Sequence, residues 1–373
     1  MMPLQNTKVI YIITALNLGG AEKFLVNYII NYVKSDNVIV ISLKRNGKLE
    51  NILLKKKIKV LHIDFNLNFI PSFFSTINTI RKFKPHIISA YMYHACVISF
   101  LLSFFIENKK LFFFIRSTVN KISDYKFSTR LVILICSFLS NWTTATIYNS
   151  EIAIKHHERY GFNKSKSIFL PNGYRIEDYP FEKKSEINLH MRNELKISVN
   201  QKIIGFMARN NSMKGLNIFL RSIDQILLKH KDLSVLILGR NNERNIHTKL
   251  IDKSRLSRVK FIGEVLDPIK YICTFDFFVN SSISNEGFSN AISENLLMGV
   301  PCIVTDVGDS KRIIENNGIT VDPGSHEQLQ LAIEKYLSMD KLKLLKISEI
   351  ARKRIIERFS MKKFIDKINV LYG

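Results

Sequence analysis

The sequence predicts an α/β protein made of two doubly wound domains in series, and three observations carry that expectation. Short β-branched runs alternate with segments of helical periodicity, the pattern of βαβ units whose parallel sheet is covered on both faces. The alternation stops at a polar stretch, Glu177 to Asn200, and then starts again. The chain has 373 residues, 46% of them hydrophobic, with only 15 Gly and 8 Pro. That composition excludes disordered, collagenous and low-complexity proteins and suits about two domains of ordinary size.

In the first half the expected strands are Lys8 to Thr14, Val38 to Leu43, Lys59 to Ile63, Ile87 to Tyr91, Leu111 to Arg116 and Thr144 to Tyr148. Ala21 to Val33 and Ile77 to Phe83 read as helices between them. In the second half the strands are Ile203 to Met207, Ser234 to Leu238, Val259 to Ile262, Phe275 to Asn280, Pro301 to Thr305 and Ile319 to Val321. Lys341 to Leu371 is basic, free of Gly and Pro, and reads as one helical segment. The expected domains are 1–178 and 179–354, with a terminal helix of about 355–373 packing back onto the first.

The four cysteines, Cys96, Cys136, Cys273 and Cys302, lie in apolar surroundings without CxxC spacing and read as buried thiols of a reducing compartment. Met1 to Asn6 has no basic n-region, and the longest apolar run, Ala95 to Ile106, is shorter than the roughly 20 residues a spanning helix needs. A cytoplasmic protein without a transmembrane helix is expected. There are 55 Lys plus Arg against 32 Asp plus Glu. Basic clusters at Lys55 to Lys57 with Lys59, at Arg81, Lys82 and Lys84, and at Lys109 and Lys110 adjoin apolar stretches. This favours docking on an anionic membrane surface over ordinary solvated lysines. No nucleic-acid motif accompanies the charge, so nucleic acid is not an expected partner.

Ligands of doubly wound sheets bind outside the carboxyl ends of the strands, which directs attention to the strand-to-helix turns. The first turn contains Gly19-Gly20-Ala21-Glu22, where missing Cβ atoms and a helix amino end favour close approach of an anion. A Gly-Gly pair alone equally makes a plain turn, and it is not a GxGxxG fingerprint. After Ile203 to Met207, Arg209 and Lys214 place two cations in one loop, an arrangement that suits a diphosphate as well as an exposed loop. The segment from Ser282 to Pro301 holds Glu286 before a short helix and Glu294 on it. Ser289 or Asn290 can cap that helix, and Gly299 with Pro301 ends it. Two such carboxylates can accept from sugar and ribose hydroxyls with a phosphate at the helix end between them, or can simply flank a capped helix.

Together these turns, with Tyr148-Asn149-Ser150-Glu151, Pro171-Asn172-Gly173 and the ExxxxxxxE element followed by Gly299-Val300-Pro301, resemble the retaining glycosyltransferase family 4 of GT-B fold. The likeness is to bacterial transferases of O-antigen, capsule and lipid-linked glycan synthesis. It implies two Rossmann-like domains facing each other across a cleft and a nucleotide-diphospho-sugar donor, UDP-hexose or UDP-N-acetylhexosamine, held by the second. Arg209 and Lys214 match the diphosphate-binding cations and Glu286 the carboxylate beside the donor sugar. Gly287 and Phe288 match the sugar-hydroxyl contacts, Ser289, Asn290 and Ala291 the phosphate-binding helix start, and Glu294 the ribose ligand. Gly20 matches a loop that closes over the donor, with Gly19 beside it on the acceptor side. The resemblance implies retention at the anomeric carbon without a protein nucleophile. The chain has no DxD and no His/Asp/Glu cluster of metal-ligand spacing, so no metal and no cofactor are expected.

The chain departs from that pattern at Ser89-Ala90-Tyr91-Met92-Tyr93-His94, where Tyr91 stands at the usual His position and His94 follows. Tyr91 or His94 can take that role, and Arg116 is the third candidate on the acceptor side. A second departure is Ala208 where the family commonly has Gly. The expected acceptor is a glycan carried on a polyprenyl diphosphate, reached by peripheral association with the inner face of the cell membrane. A soluble acceptor and a non-hydrolysing UDP-sugar 2-epimerase are the alternatives.

Overall fold

The computed structural model describes residues 7–64, 69–107, 109–242 and 248–373, so Met1 to Asn6 lie outside the described residues. The chain divides into two compact units, Met1–Asn172 with Lys362–Gly373, and Gly173–Met361.

Unit 1 is built on a seven-stranded parallel sheet of order β3-β2-β1-β4-β5-β6-β7. Its strands are β1 (Val9–Ile13), β2 (Val38–Ser42), β3 (Lys59–His62), β4 (Ile87–Tyr91), β5 (Lys110–Ile115), β6 (Ala145–Tyr148) and β7 (Ser167–Phe169). The central strands read VIYII, IISAY and KLFFFI because they are covered on both faces and have no solvent side to pattern. Strand β7 was not foreseen. It is three half-buried residues, too short for an alternation to show.

Unit 2 has a six-stranded parallel sheet of order β10-β9-β8-β11-β12-β13. The strands are β8 (Lys202–Met207), β9 (Leu233–Leu238), β10 (Val259–Gly263), β11 (Phe277–Asn280), β12 (Cys302–Thr305) and β13 (Gly318–Val321). Strand order reverses between β1 and β4 in the first sheet and between β8 and β11 in the second. Loops diverging from such a switch point leave a crevice above the sheet.

The tail departs from the single helix expected. It forms two, Lys341–Arg358 and Met361–Tyr372, broken at Phe359 and Ser360. The break is made by long-range pairing: Tyr174 N–H donates to the Phe359 carbonyl at 2.8 Å, and Met361 N–H donates to the Tyr174 carbonyl at 2.8 Å. Neither residue is a Gly or Pro, so nothing local announces the break. The first helix belongs to unit 2 and the second to unit 1. There Phe364 meets Phe24 edge-on at 4.9 Å, and the Tyr372 and Ser89 hydroxyls lie 2.5 Å apart.

Candidate active site at the strand switch points

In unit 2 the loop after β8 and the loop after β11 are tied by the Ile283 N–H, which donates to the Met213 carbonyl at 2.7 Å, by the Ser281 hydroxyl, which donates to the Gly215 carbonyl at 3.0 Å, and by an ion pair. Lys214 Nζ lies 2.5 Å from Glu286 Oε2, and Ser282 Oγ donates to the same oxygen at 2.8 Å. The Glu286 carboxylate is only 10% exposed and the Lys214 side chain 24%, so the pair is poorly screened. Asn211 organises the cation loop by accepting from Met213 N–H at 3.0 Å. Gly215, at φ +66°, follows; a Cβ there would stand 2.0 Å from the Ser281 carbonyl, so only glycine allows the two loops this approach. Arg209 is exposed in the same loop.

The helix Asn290–Leu297 starts beside Glu286. Ser289 occupies its amino cap, but the side chain makes no capping bond and is instead 3.4 Å from Asn280 Nδ2. Asn290 Oδ1 accepts from the Tyr174 hydroxyl at 2.8 Å, so it too is turned away from capping. The side-chain cap expected of Ser289 is therefore not formed. Gly299, at φ +62°, ends the element as foreseen. Phe288 points into the core, 4.9 Å from the Phe359 ring, which leaves its backbone and not its ring for ligand contact. Glu294 is half-buried on the helix. Burial and, after it, the Glu294 charge push the Tyr179 phenol well above its ordinary value.

Several participants were missed by sequence reasoning. Gly308, at φ +62° in the loop after β12, lies under Glu286, and a Cβ would meet the Glu286 carbonyl at 2.1 Å. Its neighbour Asp309 donates its N–H to the Gly287 carbonyl at 3.1 Å, fixing the turn that aims Glu286. Ser282, the first residue of the Ser282 to Pro301 segment, is another, through its bond to the Glu286 carboxylate. The loop after β9 is tied to the loop after β8 by Asn242 Nδ2, which donates to the Ala208 carbonyl at 2.7 Å. Beyond it opens a cavity of about 660 Å³ lined by Arg240, Asn242, Phe261, Gly263 and Glu264 among others.

In unit 1, Gly19 caps the helix Gly20–Tyr32 and the Glu22 carboxylate folds back over it, 2.2 Å from where a Cβ would stand. Met92, after β4, holds φ +72° without being glycine, a strained position of the kind that collects at binding sites. It sets the start of the helix Tyr93–Ser103, on which His94 is exposed. Partial desolvation, followed by the charge of Lys44, holds the His94 imidazole below its ordinary value. Tyr91 is 1% exposed and stacked on Phe114 at 4.5 Å. Burial pushes its hydroxyl up to about 12 against the opposing pull of Arg116. Arg116 covers Tyr91, its guanidinium 5.6 Å from that ring, and donates to Asn172 Oδ1 at 2.8 Å. Of the two candidates for the usual His position, His94 is at the surface and Tyr91 lies beneath Arg116.

Residues 201–339, the greater part of unit 2, match the family model described as Glycosyl transferases group 1. The chain is 26% identical over 254 residues to the uncharacterized glycosyltransferase MJ1059 of Methanocaldococcus jannaschii, covering 65% of this chain and 60% of that relative. It is 23% identical over 147 residues to the phosphatidyl-myo-inositol mannosyltransferase of Mycobacterium leprae, covering 38% and 39%. The matches thus span less than two thirds of these relatives. The structure of Anabaena Alr3699/HepE in complex with UDP-glucose superposes with a TM-score of 0.83 at 21% identity, over 97% of this chain and 98% of that one. The fold is therefore GT-B, with two Rossmann-like parallel-sheet domains in one chain.

Proposed function

We propose that the chain is a retaining, metal-independent glycosyltransferase. It moves a hexose or N-acetylhexosamine from a UDP-sugar to a glycan acceptor carried on a polyprenyl diphosphate, working peripherally at the inner face of the cell membrane. The observation that carries this reading is the Lys214–Glu286 pair at the β8/β11 switch point, in a loop that also presents Arg209. The UDP-glucose complex of the structural relative supports the donor class.

Each group has work suited to its chemistry. Arg209 and Lys214 offset the charge that grows on the β-phosphate as the bond to the anomeric carbon breaks, and preorganised cations of this kind are worth roughly 10²–10³ in rate apiece. The amino end of helix Asn290–Leu297 favours the same phosphate. Glu286 accepts from a sugar hydroxyl while Ser282 holds its carboxylate, and Glu294 accepts from the ribose. The bond to the acceptor oxygen forms on the face the diphosphate leaves, and the acceptor proton passes to the departing phosphate oxygen. No protein nucleophile is consumed. In unit 1, His94 and Arg116 serve the acceptor, with Gly19 and Gly20 at the adjoining turn.

Incubation with UDP-glucose or UDP-N-acetylglucosamine and a polyprenyl-diphosphate sugar, in EDTA, tests the reading. An α-linked product by NMR is expected. A β-linked product refutes retention, turnover only with a divalent cation refutes metal independence, and turnover only of free oligosaccharides refutes the lipid carrier. Epimerised UDP-sugar without acceptor would replace the reading altogether.

A further inference from the structure

We infer that the outward face of helix Phe127–Leu139, continued by Trp142 and Phe104, is a docking surface for an anionic lipid bilayer. The inference deepens the lipid-linked part of the proposed function and rests on it. The helix buries Ile133, Cys136, Ser137 and Leu139 against the unit 1 core. Its other face carries Phe127, Leu131, Leu134 and Phe138, an i, i+4, i+7, i+11 series that is 79%, 51%, 47% and 63% exposed. A helix packed on one side and facing water on the other would be polar along that stripe.

The stripe does not stop at the helix. Phe138 meets Trp142 at 4.7 Å, Trp142 meets Phe100 at 6.2 Å, and Phe100 meets Phe104 at 5.2 Å, so the apolar surface extends onto helix Tyr93–Ser103 and its end. Scattered exposed apolar residues need no account, but a contiguous aromatic band marks an interaction surface.

Charge selects the occupant. From 100 to 142 the chain has six basic residues, one of which, Arg116, lies over Tyr91, and two acidic, Glu107 and Asp124. Lys126 adjoins Phe127, and Arg130 adjoins Leu131. Lys166 Nζ is held beside Trp142 by the Asn141 and Thr143 carbonyls, each at 2.6 Å. An apolar band with Phe and Trp and a cationic border matches the interface of an anionic leaflet, where each basic residue raises partitioning about fivefold. A second copy of this chain would bring the same positive border and be repelled. The helix runs from the carboxyl edge of the unit 1 sheet, after β5, to its amino edge, before β6. A bilayer lying along it would meet the edge that carries Gly19 and His94, where a lipid-borne acceptor must be presented.

Trp142 is the chain's one tryptophan, so its emission reports the surface without a label. The full-length protein is titrated with vesicles of phosphatidylcholine alone or mixed with phosphatidylglycerol, and partitioning is measured by sedimentation. Expected are a blue shift on the anionic vesicles that weakens with salt, and a partition coefficient lowered roughly tenfold or more in Phe127→Ser/Phe138→Ser. UDP binding measured by thermal shift shows that the variant is folded. No shift with wild type, or equal partitioning by the variant, overturns the inference. So does a blue shift that follows protein concentration without vesicles and disappears in Phe138→Ser, since the stripe would then join copies of the chain. None of these readouts uses transfer, so their failure leaves the transferase reading to its own test.

Discussion

Lys214 and Glu286 come from loops 72 residues apart and meet at 2.5 Å, with Ser282 on the same carboxylate oxygen. The cation that would face a leaving phosphate is thus already ordered by the carboxylate that would face the sugar. Lys214→Ala is expected to lower kcat by roughly 10²–10³ and to cost about 1–3 kcal/mol of stability by leaving a part-buried carboxylate with one partner fewer. In a double-mutant cycle with Glu286→Gln the two changes should be far from additive in denaturant melts. Additive losses would show that the pair is not a unit.

Gly308 and Gly324 both hold positive φ, but they differ in what surrounds them. A Cβ at Gly308 meets the Glu286 carbonyl, whereas at Gly324, with φ +85°, nothing lies within 4 Å. Gly324→Ala should cost about 1 kcal/mol of backbone strain alone. Gly308→Ala should cost clearly more and weaken donor binding, because the Glu286 loop must move. Equal effects in thermal melts and donor titrations would contradict the bracing role.

His157 is buried in unit 1 with Nδ1 2.7 Å from the Ala153 carbonyl and Nε2 2.7 Å from the Tyr93 hydroxyl. With Nδ1 as donor, the phenol donates to Nε2 and the neutral ring is fully satisfied. Burial holds the imidazole down at about 4. The folded value lies below the unfolded one, so the contribution to stability is complete above about pH 6.5 and is lost as pH falls toward about 4, a total of about 3 kcal/mol. His157→Gln should flatten the pH dependence of unfolding in that window. An unchanged slope would mean that the ring takes up its proton in the folded state.

All four cysteines are free and buried. Burial pushes the Cys273 thiol up to about 11 and raises Cys96 and Cys302 well above their ordinary value. The native protein should therefore resist a thiol reagent at neutral pH and titrate four thiols only when unfolded. A fast-reacting thiol in the native state would contradict the packing.

The parts of this molecule legible in sequence are those written in local pattern. Buried parallel strands such as VIYII and KLFFFI show themselves as apolar runs, and glycine at 299 shows itself as a helix stop. Parts set by long-range pairing were not legible. The break at Phe359 and Ser360 is made by Tyr174, and the Ser289 cap fails because its hydroxyl lies by Asn280. Gly308 gave no signal because its reason is the Glu286 carbonyl, 22 positions earlier in the chain. The outward stripe of helix Phe127–Leu139 hid in an apolar run that reads equally well as core.

The most direct test of the account is thermal unfolding with UDP-, GDP- and ADP-sugars in EDTA, on wild type, Arg209→Ala and Glu294→Ala. A ligand at a hundred times its Kd stabilises by about 2.7 kcal/mol, a readily measured shift. UDP-sugars should stabilise the wild type, both variants should lose most of the response, and their unliganded melting points should stay near that of wild type. Stabilisation by no nucleotide sugar, or an undiminished response in both variants, would contradict the assignment of the donor site to the β8/β11 switch point.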